Sequence, residues 1–187
     1  MKTVHKPTLV ETEEKKSRFL AFLYPYTMLA SELDKLRQQH PKANHHVSAF
    51  RYFDNDKRLH EGAKDDGEPS GSAGMPALKV LQGNDLVNVA VVIVRYFGGI
   101  KLGTGGMARA YGAAVKAVVE AAPLEDFAHQ ASATLSATFE RTSDLERHLS
   151  TANILNRHFS ENGIEIEVSG PEKEIESLVS EWDRLNY

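Results

Sequence analysis

The chain contains no cysteine, one tryptophan and four methionines in 187 residues. Without cysteine there is no disulfide, no thiolate nucleophile and no zinc site of the cysteine type. Long apolar runs are also missing. The longest, residues 89–94, falls far short of the ~20 residues that a membrane-spanning helix needs. The opening MKTVHKPTLVETEEKKSRF has no apolar stretch before a cleavage site and is too acidic for a transit peptide. These absences lead to the expectation of a soluble cytoplasmic protein without membrane association.

Hydrophobic content of 41% and charged content of 26% are those of an ordinary globular protein. The net charge of −4 is unevenly spread. Residues 1–128 hold 17 Lys and Arg against 15 Asp and Glu, whereas residues 129–187 hold 5 against 11. An acidic half repels a polyanion, so any nucleic-acid contact is expected in the first part.

The pattern predicts an α+β protein of two domains, residues 1–126 and 127–187. In the first, residues 18–24 (RFLAFLY) read as a strand, and residues 31–39 as a helix capped by Ser31 and stopped by Pro41. Residues 45–53 (HHVSAFRYF) form a second strand, followed by a polar segment, EGAKDDGEPSGSAG, and a short helix opening at Pro76. Residues 87–94 (VNVAVVIV) are apolar on both faces, as a doubly covered central strand requires. Residues 107–122 carry an unbroken apolar stripe at helical spacing and end at Pro123. Residues 124–130 read as a linker.

The second part alternates: strand 134–140, helix 143–152, strands 154–160 and 164–170 around Asn162-Gly163, and helix 171–185. An Asn-Gly pair between two alternating runs signals a hairpin. The resulting βαββα order is that of a small ferredoxin-like sandwich without its usual last strand.

Two segments carry the candidate chemistry. The first, RYFGGIKLGTGGMARAYG, places Gly98, Gly99, Gly103, Gly105 and Gly106 between a strand and a helix, with Arg95, Lys101 and Arg109 around them. Glycine lets backbone N–H groups approach a ligand, and a helix start has unpaired N–H groups and partial positive charge. Anion binding is therefore expected here, with Thr104 in the same turn. No Gly-Lys-Ser/Thr follows as in a P-loop, and the G-x-G-x-x-G register of a dinucleotide site is absent. The plain alternative is tight strand–helix packing with solvated cations.

The second segment, DDGEPSGSAG, offers Asp65, Asp66 and Glu68 within four residues, with Ser70 beside them. Such carboxylates hold Mg²⁺, pair with the cations of the glycine segment, or stay solvated. No GxSxG elbow surrounds Ser70 or Ser72. His45 and His46 are neighbours in a strand and point to opposite faces, so one ion does not take both; His46 is kept as lining an acidic cleft. No metal site is assigned and no cofactor is expected, Mg²⁺ at the acidic turn being the alternative kept open. Trp182 is expected in a core or interface.

Four blocks recur in order: KSRF (16–19), HHVSAFRY (45–52), DDGEPSGSAG (65–74) and VVIVRYFGGIKLGTGGMARAYGAAV (91–115). Together they resemble the IMPACT/YigZ family over residues ~10–125, with GSAG where GTAG is usual and Met107-Ala108 where Leu-Val is common. The resemblance implies a first domain with the β-α sandwich shared by domain 2 of a small-subunit ribosomal protein, elongation factor G domain IV and a group of small-molecule kinases. It implies a second domain similar to elongation factor G domain V. Eukaryotic members restrain a translational stress kinase through an additional N-terminal domain, and that role is not expected of a bacterial-type chain.

The leading expectation is a translation-associated binding module. Arg95, Lys101, Arg109 and Lys116 would meet phosphates of RNA or the ribosome, with Tyr96 and Phe97 stacking on bases. The alternatives are a nucleotide-binding enzyme that uses Asp65, Asp66 or Glu68 for Mg²⁺, and an adaptor for a protein partner of the translation apparatus.

Overall fold

A computed structural model describes residues 1–185. The chain divides into two compact units, Met1–Phe127 and the segment from Ala128 onward.

The elements of the first unit are strands β1 (Lys2–Thr3), β2 (Thr8–Glu14) and β3 (Ser17–Pro25), helix α1 (Leu29–Gln39), strands β4 (His45–Phe53) and β5 (Leu59–Lys64), helix α2 (Gly74–Gly83), strand β6 (Val89–Tyr96), helix α3 (Gly103–Ala121) and strand β7 (Glu125–Asp126). Five strands form one antiparallel sheet in the order β2-β3-β6-β4-β5. Side chains alternate across its two faces. Phe19, Ala21, Leu23, Val47, Ala49, Val91 and Ile93 meet buried residues of α2 and α3 on one side. Leu20, Tyr24, Val92 and Val94 meet Leu36 of α1 on the other. Both faces of the central strand β6 are therefore covered, which is why its sequence is a continuous apolar run.

Several boundaries differ from expectation, and the reasons are local. β6 begins at Val89 and runs on to Tyr96, so Arg95 and Tyr96 belong to the sheet and not to the loop. α3 opens at Gly103, four residues before its apolar stripe begins, and takes the GTGG run into its first turns. β2 and β5 carry few apolar residues because they are the sheet's edges. Their exposed, charged composition gives no period-2 signal but deters pairing with another chain. Within the expected linker, Glu125–Asp126 pairs with Lys2–Thr3.

The second unit contains β8 (Gln130–Ala137), α4 (Thr142–His148), β9 (Asn153–Ser160), β10 (Gly163–Pro171) and α5 (Glu172–Leu185). Its antiparallel sheet has the order β8-β10-β9. Leu135, Leu145, Leu149, Ile164, Ile166, Val168, Ile175 and Trp182 form its core. The Trp182 indole donates to the Ser136 carbonyl at 3.0 Å. The predicted hairpin is present, one residue out of place: Gly163 pairs with Ser160, leaving Glu161-Asn162 as the turn. Gly163 is needed because any Cβ there would overlap the Ala137 carbonyl of β8. No strand follows α5 among the described residues, and positions 186–187, after the expected helix, lie outside them.

Candidate functional site

The two sequence segments meet inside the first unit, through Glu68. Residues 65–74 lead from β5 into α2, and Asp65 fixes their path. Its carboxylate accepts the backbone N–H groups of Gly71 (2.8 Å), Ala73 (3.1 Å) and Gly74 (2.8 Å). The Ala73 and Gly74 groups are donors that the start of α2 cannot pair internally, and Gly71 belongs to the loop before it. Burial raises the Asp65 pKa, but the three backbone donors outweigh it and hold the carboxyl below its ordinary value. Asp66 accepts the His46 N–H at 2.7 Å and pairs with Arg37 at 3.4 Å. Both aspartates are thereby engaged in shaping the turn.

Glu68 points inward, its side chain 4% exposed. It pairs with Arg95 of β6 and accepts the Tyr111 hydroxyl of α3 at 2.8 Å. His45 Nε2 stands 3.5 Å from its second oxygen. Burial and the neighbouring Glu68 push the Tyr111 hydroxyl pKa upward, so Tyr111 remains a donor. A buried ion pair persists where further hydrogen bonds satisfy both partners. Here Ser17 Oγ (3.5 Å) and Met107 Sδ (3.4 Å) add to the surroundings of the guanidinium, while Nε has no hydrogen-bond partner among the described residues.

Arg95 is consequently not a surface cation. It is 5% exposed and lies over the rings of Phe19 (5.6 Å) and Phe97 (5.7 Å). Tyr96 is turned to the opposite face by strand alternation. There its hydroxyl meets His40 Nδ1 at 2.7 Å and Arg18 covers its ring. His46 shares that face; burial under α1 lowers its pKa, and its Nε2 has no hydrogen-bond partner among the described residues. It is His45, not His46, that reaches Glu68. Ser70 is exposed.

The glycine segment is fixed at its base and open beyond it. Asn44 donates its N–H to the Arg95 carbonyl at 2.9 Å and accepts the Phe97 N–H at 2.8 Å. Ser17 Oγ accepts the Gly98 N–H at 3.2 Å. A Cβ at Gly98 would overlap the Lys16 carbonyl, so the close approach of this loop to the β2–β3 turn requires glycine. Gly99 and Gly103 have φ of +84° and +70° with nothing within 4 Å of a Cβ position. Lys101, Gly103, Thr104, Gly105 and Arg109 are exposed, and Gly106 is half-buried. Among the described residues no side-chain hydrogen bond caps the start of α3, and Gly103, Thr104 and Gly105 of its first turn are exposed.

Sequence reading missed two cations at this place. The β2–β3 hairpin turns on Lys15-Lys16, with φ of +46° and +65°. Positive φ at both turn positions is the signature of a type I′ turn, ordinarily made by Asn-Gly. The signal available was two lysines between a Glu-rich run and an apolar one, which does not look like a turn of that type. Lys15 and Arg109 line one cavity of about 260 Å³, together with Thr12, Glu13, Glu14 and the Leu102–Ala113 side of α3.

The acidic turn thus forms a buried link to β6 and α3. Its carboxylates already accept protein donors, which a divalent cation would have to displace. Among the described residues no group of three or more His, Asp or Glu is arranged to hold a metal ion. Among the described residues no helix is long and apolar enough to cross a membrane.

Comparison with known proteins covers both units. The Impact N-terminal domain model matches residues 15–119. An IMPACT family member of Haemophilus influenzae is 46% identical over 109 residues, 57% of this chain and 53% of that protein. The chain therefore spans about half the length of that relative. IMPACT family member YvyE of Bacillus subtilis is 38% identical over 172 residues, 89% of this chain and 77% of that protein. The crystal structure of a hypothetical protein aligns at a TM-score of 0.67 and 28% identity, covering 98% of this chain and 91% of its own.

Proposed function

The chain belongs to the IMPACT family, and from that premise we propose that it is a translation-associated binding module whose first unit holds RNA or the ribosome by its phosphates. The observation that carries this reading is the convergence of exposed cations on the open start of α3. Lys15 and Arg109 share one cavity with Gly106, whose rim also carries Glu13 and Glu14; the Lys16 backbone lies against Gly98, and Lys16 and Lys101 are exposed. Cations beside a helix N-terminus with accessible N–H groups suit phosphate oxygens. Lys116, two turns after Arg109 on α3, is exposed and lies 3.8 Å from Glu120, so it extends the patch only weakly. The finer fold assignment belongs to the same reading: a first unit of the ribosomal-protein-domain-2 type, and a second that is ferredoxin-like and similar to elongation factor G domain V. A protein partner of the translation apparatus is the companion proposal.

The test is binding to purified ribosomes and to ribosomal RNA at several salt concentrations. Lys101→Ala with Arg109→Ala removes two of the proposed phosphate contacts. Each loss is expected to reduce the slope of log affinity against log salt by about 0.7–0.9. An unchanged affinity and slope in the double variant defeats the assignment.

A further inference from the structure

The glycine loop holds one aromatic ring in a position that the phosphate reading leaves unused. We propose that Phe97 is a stacking platform for an unpaired base, so that the RNA bound at this site is single-stranded or looped rather than duplex. The inference rests on the RNA reading above and adds a ligand class to it.

Phe97 is 47% exposed although both of its supports are buried or fixed. The Arg95 guanidinium stands 5.7 Å from its ring centroid, and Arg95 is itself held by Glu68 and Ser17. Asn44 fixes its backbone N–H, and the next residue, Gly98, abuts the Lys16 backbone. The ring is therefore positioned before any ligand arrives, which reduces the entropy lost on binding. Tyr96 is occupied with His40 and Arg18 on the other sheet face and does not share this role.

Charge around the ring selects the occupant. The Lys16 backbone lies against Gly98, the residue after the ring, Lys101 follows Phe97 by four residues, and both lysines are exposed. An aromatic ring flanked by cations accommodates a base on the ring and its neighbouring phosphates on the lysines. A paired base inside an A-form duplex does not offer its face in this way. Ile100 of the same loop is also exposed, at 43%.

The experiment uses the full chain and a short mixed-sequence RNA, either single-stranded or annealed to its complement. Vesicles of phosphatidylcholine and phosphatidylserine serve as a third probe. The single strand is expected to bind more tightly than the duplex. Phe97→Ala and Phe97→Leu should each weaken single-strand binding about tenfold, while Phe97→Trp retains it. Duplex binding should be insensitive to all three variants, and thermal unfolding shows whether each variant is folded. If duplex and single strand bind equally and Phe97→Ala changes neither, stacking is overturned while phosphate binding stands. If Phe97→Leu binds the single strand like the parent, the contact is merely apolar and the stacking proposal falls. Binding to the vesicles in place of RNA overturns it too, as does absence of binding to either RNA, and the ribosome titration above then decides the phosphate reading separately.

Discussion

The residue with the most consequence is Glu68. It joins three segments that lie far apart in the chain, because Arg95, Tyr111 and His45 all turn toward one carboxylate. Neutralising it leaves the Arg95 cation buried without a counter-charge. Breaking a buried pair from one side costs about 3–5 kcal/mol, whereas replacing both partners by apolar residues costs far less. Glu68→Gln is thus expected to lower stability to chemical denaturation by about 3 kcal/mol or more. The double variant Glu68→Leu with Arg95→Met should recover most of that loss in the same assay. Equal destabilisation by single and double variants would show that the pair is not what holds these segments.

At the scale of elements, glycines in one short stretch have opposite meanings. Gly98 is imposed by contact with the β2–β3 turn, while Gly105 sits inside α3 with only the Arg109 side chain near a Cβ position, at 3.5 Å. Gly98→Ala should therefore lower the melting temperature and separate the loop from the turn. Gly105→Ala should raise helix stability by about 0.5–1 kcal/mol. Differential scanning calorimetry of the two variants checks both signs. The apolar central strand and the α3 stripe were legible in the sequence because their periodicities are strong. The edges β2 and β5 were not, since half-exposed polar strands leave no such pattern. At the site, the glycine-rich opening of a helix and its flanking Lys101 and Arg109 were legible as a candidate. Arg95, Tyr96 and Phe97 were not sorted, although the alternation that separates His45 from His46 also separates Tyr96 from its two neighbours. Where β6 ends decides that sorting, and strand ends depend on pairing with β3 and β4, which sequence periodicity does not register. Lys15 and Lys16 were missed because their turn conformation is imposed by the partner strand and by Gly98.

For the whole molecule, each unit has its own closed set of buried residues. The core members of the first all precede Ala128, and those of the second all follow it. The second unit is also smaller and carries the surplus of acidic residues. Small units with less buried surface are less stable. Unfolding in urea should accordingly proceed in two steps, with the Trp182 fluorescence change tracking the second unit alone. A single transition seen both by that fluorescence and by far-ultraviolet circular dichroism would contradict two independent cores.

The strand order of the large sheet also governs how the chain can assemble as it is synthesised. β2 with β3 and β4 with β5 are local hairpins, complete once residue 64 has been made. Neither hairpin touches the other in the ladder; each waits for β6, which is made last and enters between them. Until residue 96 leaves the ribosome, two hairpins hold open edges facing the same gap. Such edges are exposed to pairing with other chains during that interval. Arg95 arrives on that same strand, so the Glu68 carboxylate has no counter-charge from β6 until the strand that closes the sheet has been made, and its Tyr111 donor comes later still, with α3.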